Sequence, residues 1–181
     1  MTWFDWAKEY LAKWKAAQSR PSEMPNFTPR ACKAIALART AAERLHHNFL
    51  GTEHLLLGLV ELGQGVATNV LCNLGLDLGA VRIELEKQIQ VGLPGVPFGD
   101  IPFTPRMKKV LSLAQKNAKE MKHTYVSTED LLLGLLEDGD GLAAKVLRQF
   151  KINPPEVRQE ILKELDPSFY LPDDNNQDRK E

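Results

Sequence analysis

Phe27-Thr28-Pro29-Arg30, followed by Gly51-Thr52-Glu53-His54-Leu55-Leu56-Leu57-Gly58-Leu59, returns in the second half of the chain. There it reads Phe103-Thr104-Pro105-Arg106 and then Ser127-Thr128-Glu129-Asp130-Leu131-Leu132-Leu133-Gly134-Leu135. The offset is a constant 76 residues (103 minus 27), and it holds beyond these stretches, with Gly63, Gly65, Ala67, Val70 and Leu71 recurring as Gly139, Gly141, Ala143, Val146 and Leu147. Ungapped self-similarity of this length means that one structural unit occurs twice, so the fold follows from reading one unit well.

Each unit parses into four helices. Thr28 and Thr104 precede a proline, which suits an N-cap residue followed by the first helical position, where the missing N–H costs nothing. The first helix is expected to run to about His47 or His123, with Ile35, Ala38, Ala42 and Leu45, or Leu111, Ala114, Ala118 and Met121, on its apolar stripe. The second starts at Thr52 or Thr128, carries the leucine run as core, and stops at Gly63 or Gly139. The third spans about Gly65 to Leu74 and Gly141 to Phe150; the fourth spans about Leu78 to Gln90 and Pro154 to Leu165. No stretch alternates like a strand, so the class is all-α, an eight-helix arrangement of two tandem four-helix units.

The surrounding segments are of different character. Residues 92–102 hold three prolines and three glycines and read as the linker between repeat one (27–91) and repeat two (103–167). Residues 168–181 are polar and read as a disordered tail. Residues 1–26 form a leader in which Trp3, Trp6, Tyr10 and Trp14 share one face of an extra amphipathic helix that contains all 3 tryptophans. That face suits packing on the repeats, docking to a partner or contact with a membrane surface, the last weakened by interspersed Asp5, Lys8, Glu9 and Lys13.

With 23 basic and 24 acidic side chains, the net charge of −1 gives no global field for nucleic acid. The 2 cysteines, Cys32 and Cys72, lie in helical patterns without metal-like spacing, which fits reduced thiols. The charged leader has no apolar core of a signal peptide, and no run reaches the roughly 18 apolar residues of a membrane span, so a cytoplasmic protein is expected.

The doubled F-T-P-R, G/S-T-E-H/D-L-L-L-G-L and G-x-G-x-A-x-x-V-L motifs resemble the double N-terminal repeat of the Clp family of AAA+ unfoldases, most of all the ClpC type, over about Phe27 to Pro167. The resemblance implies a pseudo-twofold, eight-helix module that binds adaptors and substrate proteins and, in the full-length unfoldase, hands them to an ATPase ring. It also implies that the threonines and glutamates of the motif, here Thr28, Glu53, Thr104 and Glu129, form two sites for phosphorylated arginine side chains. The pairing expected from the motif order is Thr28 with Glu53 and Thr104 with Glu129. Such a site makes chemical sense: a helix N-terminus attracts phosphate, and a carboxylate accepts from a guanidinium. The bland reading is that the threonines are only caps and the glutamates only first-turn acids. The leader has no recognised counterpart in that family, and no G-x-x-x-x-G-K-[ST] phosphate loop occurs, which removes ATP hydrolysis by that mechanism.

Other chemistry is weaker. His46, His47 and His54 beside Glu53 lack the one-turn spacing of a paired metal site, and the second copy keeps only His123, so no metal or cofactor is expected and a helix-end role is preferred. Cys32 and Ser112 lack a base and an orienting partner, so no enzyme is expected. Asp130, replacing His54, is expected to weaken phosphate binding in the second copy if it lies near that phosphate. The expected function is a non-catalytic accessory or adaptor of Clp-dependent proteolysis with Clp subunits, adaptors or substrate proteins as partners. The alternative is an interaction scaffold working through the Trp-rich leader.

Overall fold

The computed structural model describes residues 26–93 and 101–165. The leader, most of the inter-repeat linker and the polar tail lie outside the described residues. The described residues form α1 (Pro29–Arg44), α2 (Thr52–Leu62), α3 (Val66–Asn73), α4 (Leu78–Gln88), α5 (Pro105–Glu120), α6 (Thr128–Asp138), α7 (Leu142–Gln149) and α8 (Pro154–Leu165). These are the four helices of each repeat, and among the described residues the extended backbone pairs only at isolated bridges.

The starts obey the capping chemistry. Thr28 accepts from Ala31 N at 3.2 Å and Thr104 from Met107 N at 3.1 Å, each followed by proline. The first helices end earlier than expected, at Arg44 and Glu120, because His46 (φ 55°) and Lys122 (φ 59°) take left-handed backbone just beyond. A 6→1 hydrogen bond closes each end, from His47 N to Ala42 O (2.9 Å) and from His123 N to Ala118 O (2.8 Å). Neither residue is glycine, so the ordinary stop signal is missing from the sequence.

The second helices are the centre of the molecule. Leu55, Leu56, Leu57, Leu131, Leu132 and Leu133 are fully buried. Gly58 and Gly134 let the first and second helices of each repeat touch through backbone: a Cβ at Gly58 would sit 2.2 Å from Ala34 O, and one at Gly134 2.7 Å from Val110 O. α2 packs on α1 and α4, and α6 packs on α5 and α8, within their repeats.

α3 and α7 touch the second helix of their own repeat, but most of their packing crosses between repeats: α3 lies on α6 and α8, α7 on α2 and α4, and α2 meets α6. The third helices are therefore exchanged arms about a pseudo-twofold that passes between α2 and α6. The segments before the first helices exchange as well. Phe27 bridges Val126 and Phe103 bridges Leu50, with Thr28 N donating to Val126 O (2.9 Å) and Thr104 N to Leu50 O (3.0 Å).

Candidate functional site

That exchange decides which side chains meet. Thr28 is carried to the start of α6 and Thr104 to the start of α2, so the motif residues pair across the repeats. One cleft, of about 350 Å³, is lined by Thr28, Arg30, Gly65, Ser127, Thr128 and Glu129 among others. Its counterpart, of about 260 Å³, is lined by Gly51, Thr52, Glu53, Thr104, Arg106 and Asp140 among others. The expected partnering of Thr28 with Glu53 and Thr104 with Glu129 is corrected: Thr28 shares its cleft with Glu129, and Thr104 with Glu53. Sequence order could not show this, because it depends on the two bridges above.

Each cleft has a cationic end and an acidic end. At the first, the N-terminus of α1 brings the positive end of the helix dipole together with the exposed guanidinium of Arg30. Thr28 Oγ1 is used as a cap acceptor, which leaves its hydroxyl hydrogen available to a ligand. Opposite stands Glu129, buried, with Oε2 accepting from Thr128 Oγ1 at 3.2 Å. Glu53 makes the same contact with Thr52 Oγ1 at 3.2 Å but is half-buried. Gly51 and Gly141 make room in the second cleft, since a Cβ at Gly51 would lie 2.5 Å from Glu53 Oε1 and one at Gly141 2.7 Å from Thr52 Oγ1.

The clefts differ in their arginines. Arg30 has no ion pair among the described residues. Arg106 is held by Asp138 at 2.8 Å and lies 3.9 Å from Asp140. Those acids occupy the positions of Leu62 and Gln64 in repeat one. Burial pushes the Asp138 carboxyl upward, but hydrogen bonds from Arg106 and Lys109 outweigh it and hold the group below the ordinary value. The first cleft therefore offers a freer cation to an anion than the second.

Asp130 lines neither cleft. It is fully buried, caps Ser127 N at 2.8 Å through Oδ2, and burial pushes its carboxyl up to about 6. The expectation that it repels phosphate at the Thr104 end is corrected, because α6 faces the Thr28 cleft and Asp130 points away into the protein; the acids beside Thr104 are Asp138 and Asp140.

The histidines are also not simple helix-end groups. His54 Nδ1 accepts from Gly51 N (3.0 Å), His54 Nε2 meets His47 Nδ1 (2.8 Å), and His47 Nε2 meets Gln90 O (2.6 Å). This chain of two rings ties the start of α2 to the end of repeat one. Burial and the neighbouring His47 lower the His54 pKa to about 4. In repeat two, His123, Glu129 and Asp130 come together, a trio that the sequence reading passed over because it sought two histidines. Cys32 is half-buried and burial raises its thiol pKa, opposite to what a nucleophile needs. Trp3, Trp6, Tyr10 and Trp14 lie outside the described residues. No single helix among the described residues is long and apolar enough to cross a membrane.

Comparison with known proteins agrees with this architecture. The family description "Clp repeat (R) N-terminal domain" matches residues 26–150 and 103–168. A probable ATP-dependent Clp protease ATP-binding subunit of Chlamydia pneumoniae is 51% identical over 140 residues, covering 77% of this chain and 17% of that protein. The crystal structure of the N-terminal domain of the Clp-associated chaperone ClpD from Arabidopsis thaliana superposes with a TM-score of 0.63 at 24% identity, covering 81% of this chain and 98% of that one. A ClpV N-domain solved in complex with a VipB peptide gives a TM-score of 0.65 at 19% identity, covering 78% and 88%. The chain spans about 17% of the length of the first curated relatives it matches.

Proposed function

The chain belongs to the Clp N-terminal repeat family, and from that premise we propose that it is a non-catalytic protein-binding module. It serves as an accessory or substrate-recognition factor of Clp ATP-dependent proteolysis and takes phosphorylated arginine side chains in its two clefts. The observation that carries this reading is the crossed arrangement, repeated twice: a capped helix N-terminus with an adjacent arginine at one end, and a glutamate from the other repeat at the opposite end. A phosphoguanidinium has the same polarity. Its phosphate suits the helix N-terminus and Arg30 or Arg106, and its N–H groups suit Glu129 or Glu53. A plain arginine lacks the anion, and a phosphoserine lacks the planar donors, so both ends are needed for selectivity.

Because each cleft draws its two ends from different repeats, neither repeat holds a complete site.

Titration calorimetry of free phosphoarginine, with arginine and inorganic phosphate as controls, tests the reading. Two sites per chain are expected in the wild type and none in Glu53→Ala/Glu129→Ala. Absence of binding at millimolar phosphoarginine contradicts the ligand, and binding that survives in the double variant contradicts the clefts.

A further inference from the structure

His123, in the turn between α5 and α6, and Glu129 and Asp130, in the first turn of α6, offer ligand atoms that all lie within 4.8 Å of one another. His123 is half-buried and both acids are buried. Adjacent acids at a helix start are common, but Asp130 adds a second feature. Its side chain has no exposed surface, Oδ2 takes the Ser127 N–H, and Oδ1 has no hydrogen-bond partner. A buried carboxylate oxygen left unmatched is costly, and a cation beside it removes the cost.

Repeat one shows what is different here. Its equivalent residues are His47, Glu53 and His54, and there the four ring nitrogens account for each other, for Gly51 N and for Gln90 O. In repeat two the shorter, acidic Asp130 replaces the second ring. It no longer spans to the first, and the His123 ring makes no hydrogen bond among the described residues. The exchange leaves an imidazole and two carboxylates with ligand atoms within 4.8 Å of one another instead of a closed chain.

We propose that His123, Glu129 and Asp130 bind one divalent transition-metal ion, of which Zn²⁺ is the representative, with water as the remaining ligand. One imidazole with two carboxylates fits a borderline ion. A hard ion such as Mg²⁺ or Ca²⁺ calls for six or more oxygens, and a soft one for thiolate. The two carboxylates match the charge of the ion and exceed the roughly half unit of positive charge at the start of α6. Bonds of about 2.0–2.2 Å to a tetrahedral ion put ligand atoms roughly 3.4 Å apart, so atoms now within 4.8 Å of one another must close by up to roughly 1.4 Å, through the His123 and Glu129 side chains together. The ion enters from the solvent side, where His123 is accessible and Glu129 opens to the cleft.

Glu129 then has two claimants. If the Thr28 cleft takes phosphoarginine as proposed above, the ion and the guanidinium compete for that carboxylate, and metal weakens ligand binding at the Thr28 cleft while sparing the Thr104 cleft. This competition rests on the proposed function; the metal site does not.

The test is calorimetric titration of Zn²⁺, and Co²⁺ absorption, on the chelator-stripped full chain. One ion per chain is expected. His123→Ala and Asp130→Asn should each weaken binding by more than about tenfold, with folding checked by circular dichroism, while His54→Asn leaves it unchanged. His123→Ala carries the test if Asp130→Asn does not fold. With 4 histidines in the chain, imidazole NMR should show Zn²⁺ shifting the His123 ring alone. No stoichiometric binding, or binding that survives His123→Ala, or loss in His54→Asn, overturns the proposal. Zn²⁺ binding at His123 without effect on phosphoarginine would count against the ligand reading of the Thr28 cleft and leave the metal site standing.

Discussion

Replacing Gly58 by alanine tests the packing on which both clefts depend. In an exposed helix this change stabilises by roughly 1 kcal/mol, because alanine is the better helix former. In α2 the new methyl would sit 2.2 Å from Ala34 O and 2.7 Å from Ala38 N of α1. Carbon and oxygen rest at about 3.3 Å or more, so the helices must part by roughly 1 Å. Overpacking of a core commonly costs about 1–3 kcal/mol. Because the obstructing atoms are backbone, we take the upper end, and subtracting the propensity gain leaves a net loss of about 2 kcal/mol. At Gly134 the nearest atoms are 2.7 Å and 3.1 Å away, so the helices must move less and the net loss should stay below about 1 kcal/mol. For a domain of this size roughly 3–5 °C accompanies each kcal/mol, so Gly58→Ala should lower Tm by about 6–10 °C and Gly134→Ala by less than half of that. Thermal melts followed by circular dichroism, with urea unfolding for the free energies, measure both. An unchanged or raised Tm in Gly58→Ala, or a larger loss in Gly134→Ala, would refute the reasoning.

The electrostatic and backbone features make further claims. His54 titrates near 4 in the fold against 6.5 in the open chain, so its contribution is present above 6.5 and is lost as pH falls towards 4, by at most about 3 kcal/mol. Urea unfolding at pH 7 and pH 4.5 should therefore show a smaller acid loss in His54→Asn than in the wild type, with His47 at 2.8 Å and Glu53 at 3.8 Å the titratable neighbours; equal losses would assign the acid sensitivity elsewhere. Lys151 (φ 62°) occupies the left-handed position that Gly75 (φ 79°) holds in repeat one. Lys151→Gly should then raise stability by up to about 1 kcal/mol and Gly75→Ala lower it by about as much, read from the same unfolding curves. Asp140→Gln gives the Thr104 cleft the residue found at position 64, and should tighten anion binding there by roughly two- to threefold at low salt, as measured by titration.

How far the sequence could be read depended on whether the information was local. Thr28-Pro29 and Thr104-Pro105 announce helix starts through capping, and Gly63 and Gly139 announce stops, so these boundaries were legible. The ends of α1 and α5 were not, because His46 and Lys122 adopt left-handed backbone without the glycine that signals it. The burial of Leu55 to Leu57 and of Leu131 to Leu133 followed from the apolar run. The reason for the glycine after each did not, since Ala34 O and Val110 O belong to other helices. The site residues were visible as a doubled motif, but their partners were assigned by chain order. Only the bridges Phe27–Val126 and Phe103–Leu50 bring Thr28 to Glu129 and Thr104 to Glu53. Asp130 illustrates the same limit: a charge substitution is plain in the alignment of the two halves, whereas its complete burial and its unmatched oxygen need three dimensions.

The crossed clefts are tested most directly by counting phosphoarginine sites in two double variants that differ only in which threonine is removed. In Glu129→Ala/Thr28→Ala both changes fall in one cleft, and calorimetry should retain one site per chain. In Glu129→Ala/Thr104→Ala each cleft loses one end, and no full-strength site should remain. The reverse outcome, one site kept when Thr104 is removed and none when Thr28 is, would mean that each repeat completes its own site and would contradict the account.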